Sequence, residues 1–337
     1  MTTDEIKALA EKVNDYWIRK NPGSGDCAWE RGAYFLGCMA AYDILGKKEY
    51  LDYALKWAED NNWSFYNSGK PKTHRNADNK ICGQTYLRLM ELVPGAGTMD
   101  NLIRDMEIVL NDPDNDYWWW VDTIYMALPF YNMMGVKLKD ERYFEKVHRL
   151  FYNSKTERRC YDTEEHLWYR DERFLPEAAR GTFGGKIFWG RGNGWVFAGI
   201  GRTLEVLPKT NAYYSEYEQI FKGMAASLVK YQQPDGFWHC DICEPKAYDS
   251  PETSGTALIT YGLMLGINLG ILDESYLKYA IAGFEGINKT ALTDCGKIGY
   301  VQVVADRPGP IDKDAENDYA VGTYLLICRE FIRYLER

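Results

Sequence analysis

The stretch RGAYFLGCMAAYDILGKKEYLDYALKWAEDNN (residues 31–62) mixes small residues into a helical apolar pattern, passes through a turn, and continues as a second amphipathic helix. The same arrangement recurs along the chain, at 82–95 with 99–111, at 121–153, 192–232 and 254–287, and at 319–336 with 4–19. In the last copy the second helix is missing, and the N-terminal helix takes its place. The sequence therefore predicts six pairs of helices.

Each pair of helices can bury its apolar face only against neighbouring pairs, so the copies must stack. The first helix of each pair contains small residues, which lets helices crowd around an axis, whereas the second helices carry more charge and suit an outer ring. We therefore expect an all-α fold, an (α/α)6 barrel of six hairpins, in a single domain over residues 1–337. Short strands are expected in loops, with GKIFWG (185–190) and IGYVQVV (298–304) as the best candidates.

The composition and charge exclude several classes of partner. The chain has 337 residues, is 46% hydrophobic and carries a formal net charge of −9 without a run of Lys or Arg, so we expect no nucleic acid and no membrane partner. No apolar stretch reaches the roughly 18 residues of a membrane span, and the first residues form a polar amphipathic pattern. We expect a cytoplasmic protein, or a periplasmic one if a leader has been removed, that is a monomer or a weak homodimer.

Cysteine usage and sequence motifs predict neither a metal nor a cofactor. The eight cysteines show no disulfide framework, which is typical of a reducing compartment. Cys240 and Cys243 form one C-x-x-C pair beside His239, but a zinc site needs about four ligands and no second pair has a workable spacing. Walker, dinucleotide-binding, H-E-x-x-H and nucleophile-elbow motifs are absent.

Polar and aromatic residues recur where the inner helices are predicted to begin, which would place them at one mouth of a barrel. These positions are Trp29, Asp78, Asp122 and the segments 188–195, 248–256 and 299–309. Asp122 follows three consecutive tryptophans in YWWWVDTIYM (117–126), and apolar surroundings raise the pKa of a carboxyl group. An acid that stays protonated near neutral pH can deliver a proton, so Asp122 is the candidate catalytic acid.

Two further site candidates have structural alternatives. Asp78 and Asn76 are also ordinary N-cap residues before a helix, so the sequence fits either capping or a role beside Asp122. Arg191, between two tryptophans in WGRGNGW, presents a planar fork suited to a carboxylate, or pairs with a local acid at a helix entry. His74 is close to Asp78 in the sequence and could reach the same site.

Five segments resemble, in order, those of unsaturated glucuronyl and rhamnogalacturonyl hydrolases. They are HRNADNKICGQTYL, WWWVDTIYMALPFY, FWGRGNGWVFAGIGRTLEVLP, DGFWHCDI…SPETSGTALITYGLMLGI and GYVQVVADRPG…DYAVGTYLL, spanning about residues 25–330. The chain resembles glycoside hydrolase family 105, with the related family 88 next. The resemblance implies an (α/α)6 barrel that acts, without metal or cofactor, on short unsaturated oligosaccharides left by polysaccharide lyases.

The same resemblance assigns roles to individual residues. It implies that Asp122 is the general acid/base and that Asp78 holds sugar hydroxyls and tunes its partner. It also implies substrate-binding positions at Trp29, Trp120, Trp189, Arg191, Trp195, Thr253 and Thr256, the two threonines near the uronate carboxylate. The segment LWYRDERF departs from the family pattern, because Arg170 replaces the histidine of many family 105 members and so indicates altered contacts.

The implied reaction is hydration of the C4=C5 bond of a terminal 4,5-unsaturated uronic acid. Asp122 would donate a proton to C4 and then take one from the water that attacks C5, after which the product opens to a keto sugar and releases the attached sugar. Two alternatives stay open. One is an (α/α)6 glycosidase, lyase or epimerase acting on saturated sugars, and the other is a non-catalytic sugar-binding protein.

Overall fold

The computed structural model describes all 337 residues, and α-helices make up most of its regular structure. The helices are α1 (Thr3–Lys20), α2 (Trp29–Leu45), α3 (Lys48–Asp60), α4 (Ile81–Leu92), α5 (Asp100–Leu110), α6 (Thr123–Met126), α7 (Leu128–Leu138), α8 (Glu141–Tyr152), α9 (Gly190–Val206), α10 (Tyr214–Leu228), α11 (Thr253–Asn268), α12 (Leu277–Thr290) and α13 (Asp318–Leu335). Two short strands, β1 (Tyr161–Asp162) and β2 (Leu167–Trp168), pair antiparallel. No helix combines the length and the hydropathy that a membrane span requires.

Six helices form an inner ring around the axis of the molecule. In order these are α2, α4, α7, α9, α11 and α13, each packed on the next, and α13 packs on α2 to close the ring. The outer helices α3, α8, α10, α12 and α1 lie against α2, α7, α9, α11 and α13, while α5 follows α4 and packs on α8. The predicted (α/α)6 barrel is confirmed, and the N-terminal helix takes the sixth outer position as expected.

Burial distinguishes the two rings. Helix α11 is buried at every position from Thr253 to Ile267, because neighbouring helices cover it on all sides. Helix α8 buries one face only, through residues such as Tyr143, Val147 and Leu150, which recur at the three-to-four-residue spacing of an amphipathic helix. The inner helices therefore lack a polar face, and their ends, rather than their sides, are where functional groups meet solvent.

Glycines allow the first and last inner helices to cross at very short range. A Cβ added to Gly37 in α2 would collide with the Gly322 carbonyl of α13, and a Cβ added to Gly322 would collide with the Ala33 carbonyl. Only glycine permits backbones to approach this closely. The ring is therefore closed by direct backbone contact between α2 and α13.

The two predicted strands are wrong. Residues 185–190 and 298–304 each contribute only one isolated bridge residue. In the second segment the carbonyls of Gln302 and Val303 accept hydrogen bonds from the Arg191 side chain. In a strand these carbonyls would instead pair with a neighbouring strand. This segment is consequently a loop that closes over one end of the barrel.

Candidate active site

A pocket of about 120 Å³ opens at the end of the barrel where the inner helices begin. Its lining residues are Trp29, Trp120, Trp189, Trp195, Asp78, Asp122, Arg170, Arg191, Met126, Val304 and Ala305. All but three of the predicted site residues are among them. Residues far apart in the sequence meet here because each lies at the start of an inner helix or in the loop before it.

Asp122 stands directly before helix α6 but does not cap it. Its side chain makes no hydrogen bond to the start of the helix, and only 8% of the residue is exposed. Arg170 donates from Nε to Asp122 Oδ2 at 3.3 Å. Burial raises the pKa of Asp122 above its usual value, and the charges of Arg170 and Arg191 partly offset that rise. The predicted direction of the shift is confirmed.

Asp78 lies in a 3-10 turn, Ala77–Lys80, directly ahead of α4. The cap of this turn is Asn76, whose side chain accepts a hydrogen bond from the Asp78 amide at 3.0 Å. Asn76 is therefore the capping residue of this turn, and Asp78 lines the pocket. Burial, and then the nearby charge of Asp122, raise the pKa of Asp78 to about 7. Two carboxyl groups with raised pKa values thus share one pocket.

Arg170 is the cation in contact with Asp122. It also donates from Nη1 to Asp171 Oδ2 at 2.8 Å, and its guanidinium lies over the Trp119 ring, 5.2 Å from the centroid. The backbone holds it in place, because the Val121 N–H donates to the Arg170 carbonyl at 3.0 Å. Since the side chain lines the pocket, an anionic group bound there can reach it.

Arg191 is anchored by neutral groups of the fold rather than by a local acid. It donates to the carbonyls of Gln302 at 2.6 Å and Val303 at 3.0 Å, and to the Tyr319 hydroxyl at 3.2 Å. These partners are neutral, so the predicted pairing of Arg191 with a local acid is wrong. The Nε of Arg191 is buried and has no hydrogen-bond partner within the protein. Arg191 fixes the loop that forms one rim of the pocket. The Arg191 side chain also lines the pocket. Its contact with substrate is therefore possible from this position and stays a prediction.

Aromatic rings form the walls of the pocket. Trp29 stacks on Tyr319 with ring centroids 5.3 Å apart and meets Trp195 edge-on at 6.3 Å. Trp189 is held by a hydrogen bond from Nε1 to Gln302 Oε1 of 2.7 Å. Flat apolar walls with a few convergent polar groups are the usual composition of a small-molecule site, and rigid indoles suit the face of a sugar ring.

Three predicted substrate-binding residues lie outside the lining of the pocket. His74 is directed at Asp112, with Nε2 3.4 Å from Oδ2. The Thr253 hydroxyl donates to a backbone carbonyl at 2.8 Å, and the Thr256 hydroxyl bonds both to a backbone amide and to a carbonyl. The polar groups of these residues are satisfied within the fold, and their contact with substrate stays a prediction.

The pocket also contains three residues that the sequence analysis did not select individually. Met126 follows Asp122 by one helical turn, a spacing that could have indicated it. Val304 and Ala305 belong to the segment 299–309, where a strand was predicted and the structure has a loop at the rim of the pocket. No group of three or more His, Cys, Asp or Glu side chains is arranged to hold a metal ion.

Comparison with known proteins assigns this barrel and its pocket to a family. The sequence model of Glycosyl Hydrolase Family 88 matches residues 3–335, nearly the whole chain. The chain belongs to glycosyl hydrolase family 88. It is therefore a glycoside hydrolase. The resemblance seen in the sequence is confirmed, and the matching family is family 88, which the sequence analysis placed after the related family 105.

Similar proteins cover the complete barrel rather than a part of it. A relative from Formosa agariphila named unsaturated 3S-rhamnoglycuronyl hydrolase is 29% identical over 91% of this chain and 85% of its own length. A solved family 88 glycosyl hydrolase from Bacteroides vulgatus has a TM-score of 0.94 at 32% identity, over 99% of this chain and 100% of that one. A solved protein described as a polysaccharide lyase has a TM-score of 0.94 at 35% identity, over 100% of this chain and 99% of that one.

Proposed function

We propose that this glycoside hydrolase removes a 4,5-unsaturated uronic acid from the non-reducing end of oligosaccharides left by polysaccharide lyases. The observation that carries the proposal is a pair of carboxyl groups with raised pKa values, buried Asp122 and partly buried Asp78, in a small tryptophan-lined pocket. A pocket of about 120 Å³ suits one terminal sugar rather than a stretch of polysaccharide. The name of the Formosa agariphila relative, an unsaturated 3S-rhamnoglycuronyl hydrolase, supports the same class of substrate.

Asp122 supplies the proton in this reaction. The C4=C5 bond is an enol ether because C5 bears the ring oxygen, so protonation of C4 places positive charge at C5 where the oxygen stabilises it. Protonated Asp122 donates to C4, and the carboxylate formed takes a proton from the water that attacks C5. The C5 hemiketal then opens to a ketone, and the hemiacetal left at C1 collapses to an aldehyde and releases the attached sugar.

Asp78 adjusts the acid and binds the sugar. Its pKa of about 7 means that it exchanges its own proton near neutral pH. When Asp78 is ionised, its charge favours the protonated form of Asp122, because two neighbouring carboxyl groups resist carrying two negative charges. When it is neutral, it can donate a hydrogen bond to a sugar hydroxyl.

Arg170 binds the uronate carboxylate of the substrate. Its guanidinium lines the pocket beside Asp122, whereas the hydrogen bonds of Arg191 go to neutral groups of the fold. Once the substrate carboxylate shares Arg170, the guanidinium stabilises ionised Asp122 less strongly. Substrate binding thereby raises the pKa of Asp122 and favours the protonated acid at the moment when a double bond is present.

The solved relative described as a polysaccharide lyase favours a second candidate, β-elimination from a saturated uronic acid. A lyase removes the C5 proton and creates the double bond, whereas hydration consumes it. The two reactions therefore change the ultraviolet absorbance of the conjugated bond in opposite directions, and one assay distinguishes them.

The test mixes purified protein with a lyase-generated unsaturated disaccharide and follows the absorbance of the double bond. We expect the wild type to remove it and Asp122→Asn to lower kcat by about 10²–10⁴-fold, because the amide cannot donate the proton. Asp116→Asn, an exposed carboxylate on the same segment, is the matched control and keeps full activity. Far-ultraviolet circular dichroism verifies that both variants fold. Equal activity of Asp122→Asn and the wild type would contradict the assignment.

A further inference from the structure

A second cavity, of about 130 Å³, lies at the end of the barrel where the inner helices finish, opposite the active-site pocket. It is lined by five inner helices, α2, α4, α7, α9 and α13, and shares no residue with the active-site pocket. The reaction at the other end of the barrel therefore does not explain why charged groups converge here. These charged lining residues are Asp43, Arg88, Arg202, Glu205 and Arg329.

The carboxylates at this end of the barrel are all paired with arginines. The cluster contains four arginines, Arg88, Arg202, Arg329 and Arg333, and three carboxylates, Asp43, Glu205 and Glu330. Asp43 pairs with Arg88 at 3.2 Å, and Glu205 pairs with Arg333 at 3.1 Å. The third carboxylate, which is fully buried, pairs with Arg329 at 2.8 Å. One positive charge, that of Arg202, is left without an acid.

Arg202 makes its hydrogen bonds to neutral groups only. Its Nε and Nη2 donate to Gln84 Oε1 at 3.0 and 2.9 Å, and its Nη1 donates to the Tyr261 hydroxyl at 3.3 Å. A guanidinium has five N–H donors, so two are available to a ligand. The side chain is partly buried and lines the cavity. Since charged groups inside a protein are normally paired, this arrangement indicates a missing counter-ion.

A hydroxyl group in the wall of the cavity also has no partner. Thr85 lines the cavity and is 1% exposed, and its hydroxyl makes no hydrogen bond within the protein. Buried hydroxyls in folded proteins normally have a partner. Threonine in a helix adopts either of two χ1 rotamers, so a rotation about this bond can turn the hydroxyl towards a ligand. The wall thus offers a second donor in addition to the guanidinium.

We propose that this cavity binds a small oxyanion, phosphate or sulfate, with the guanidinium of Arg202 as its main contact. The planar guanidinium can donate two parallel hydrogen bonds to two oxygens of such an anion. A cavity of about 130 Å³ has room for one inorganic anion and is smaller than the sites that enclose larger organic ligands. The site is independent of the proposed function, because it lies at the other end of the barrel.

The experiment titrates the protein with inorganic phosphate, and separately with inorganic sulfate, in a calorimeter. Sodium chloride keeps the ionic strength constant, so that charge screening does not change during the titration. For the wild type we expect a saturable heat with one anion bound per chain. The anion that binds more tightly is the one that the site selects.

Two arginine variants test whether the cavity is the binding site. Arg202→Met should weaken binding by at least about tenfold, because the hydrogen bonds from a charged donor are lost. Arg104→Met removes an exposed arginine of α5 that lines neither cavity, and should bind as the wild type does. Far-ultraviolet circular dichroism verifies that both variants fold.

A measurement on the wild type alone covers the case in which Arg202→Met does not fold. Crystals are soaked in sodium selenate, an analogue of sulfate, and anomalous scattering locates the selenium. A selenate ion within hydrogen-bonding distance of the Arg202 guanidinium supports the proposal. It is overturned if neither anion gives a saturable heat, if folded Arg202→Met binds as tightly as the wild type, if Arg104→Met loses binding equally, or if the cavity holds no selenate.

Discussion

The pKa of Asp122 is set by two opposing effects. Burial among tryptophans favours the neutral carboxyl group, and the guanidinium of Arg170 favours the carboxylate. Asp78 adds a third effect: its negative charge, which appears as pH rises through its pKa of about 7, favours the neutral form of Asp122. Because the three act together, removing one neighbour should move the pH dependence of activity in a direction that can be stated in advance.

Replacing Asp78 should shift the loss of activity to lower pH. The protonated acid is required, so kcat/KM of the wild type should fall as pH rises through the range around 7 in which the carboxyl pair loses its proton. In Asp78→Asn no negative charge faces Asp122, so Asp122 releases its proton at a lower pH. A pH profile of kcat/KM measures the shift, and an alkaline limb that stays in place would show that the two carboxyl groups are not coupled.

Replacing Arg170 should move the alkaline limb of the pH profile of kcat/KM to higher pH. Arg170→Met removes a cation that stabilises ionised Asp122, so the acid keeps its proton to a higher pH. KM should rise as well, because the uronate carboxylate loses its partner. Arg180→Met, an exposed arginine nearby in the chain, is the control and should leave the profile unchanged. A limb that moves to lower pH would contradict the role given to Arg170.

The raised pKa of Asp122 could be predicted from the sequence, but the hydrogen-bond partners of the residues around it could not. The three consecutive tryptophans predicted an apolar setting for Asp122, but only Trp120 of the three lines the pocket, and its other indoles come from distant segments. The hydrogen bonds of Arg191 reach residues 302 and 303, and that loop could not be placed before the barrel was closed. The threonines at 253 and 256 were carried over by resemblance, and their hydroxyls proved to be bonded to the backbone.

At the scale of elements, the helices were predictable because each carries its own repeating pattern of small or apolar residues. The starts of α1 and of five inner helices lie within a few residues of the predicted ones, whereas the helix predicted from residue 121 is divided into α6 and α7. The strands were not predictable, because β1 and β2 are only two residues long and lie in a polar turn. Segments 185–190 and 298–304 look like strands by composition, but side chains and loops satisfy their backbones instead.

The contact between α2 and α13 should tolerate no added methyl group. Gly37→Ala places a Cβ against the carbonyl of Gly322, and the two helices must separate to accommodate it. We expect a loss of about 1–3 kcal/mol in the free energy of unfolding, measured in urea. Gly23→Ala is the control, since nothing lies within 4 Å of the added carbon, and it should stay within about 0.5 kcal/mol of the wild type.

At the scale of the whole molecule, ring closure connects the two ends of the chain to the active site. Helix α1 packs on α13 and α2, and Trp17 donates from Nε1 to Asp318 Oδ1 at 3.1 Å. The next residue, Tyr319, stacks on Trp29 in the wall of the pocket. The repeat pattern predicted this outer position for the N-terminal helix, but the path from Trp17 to the pocket wall became visible only in three dimensions.

Removing the Trp17 side chain should therefore weaken the whole barrel rather than fray one end. The residue is 5% exposed, so Trp17→Ala should cost about 3–5 kcal/mol in the free energy of unfolding. Trp17→Phe keeps most of the packing and loses the hydrogen bond to Asp318, at a cost of about 1 kcal/mol beyond the smaller ring. If residues 1–337 form one domain, urea curves followed by circular dichroism and by tryptophan fluorescence should coincide for the wild type and both variants. Separate transitions for the two signals would show that the ends of the chain unfold independently of the ring.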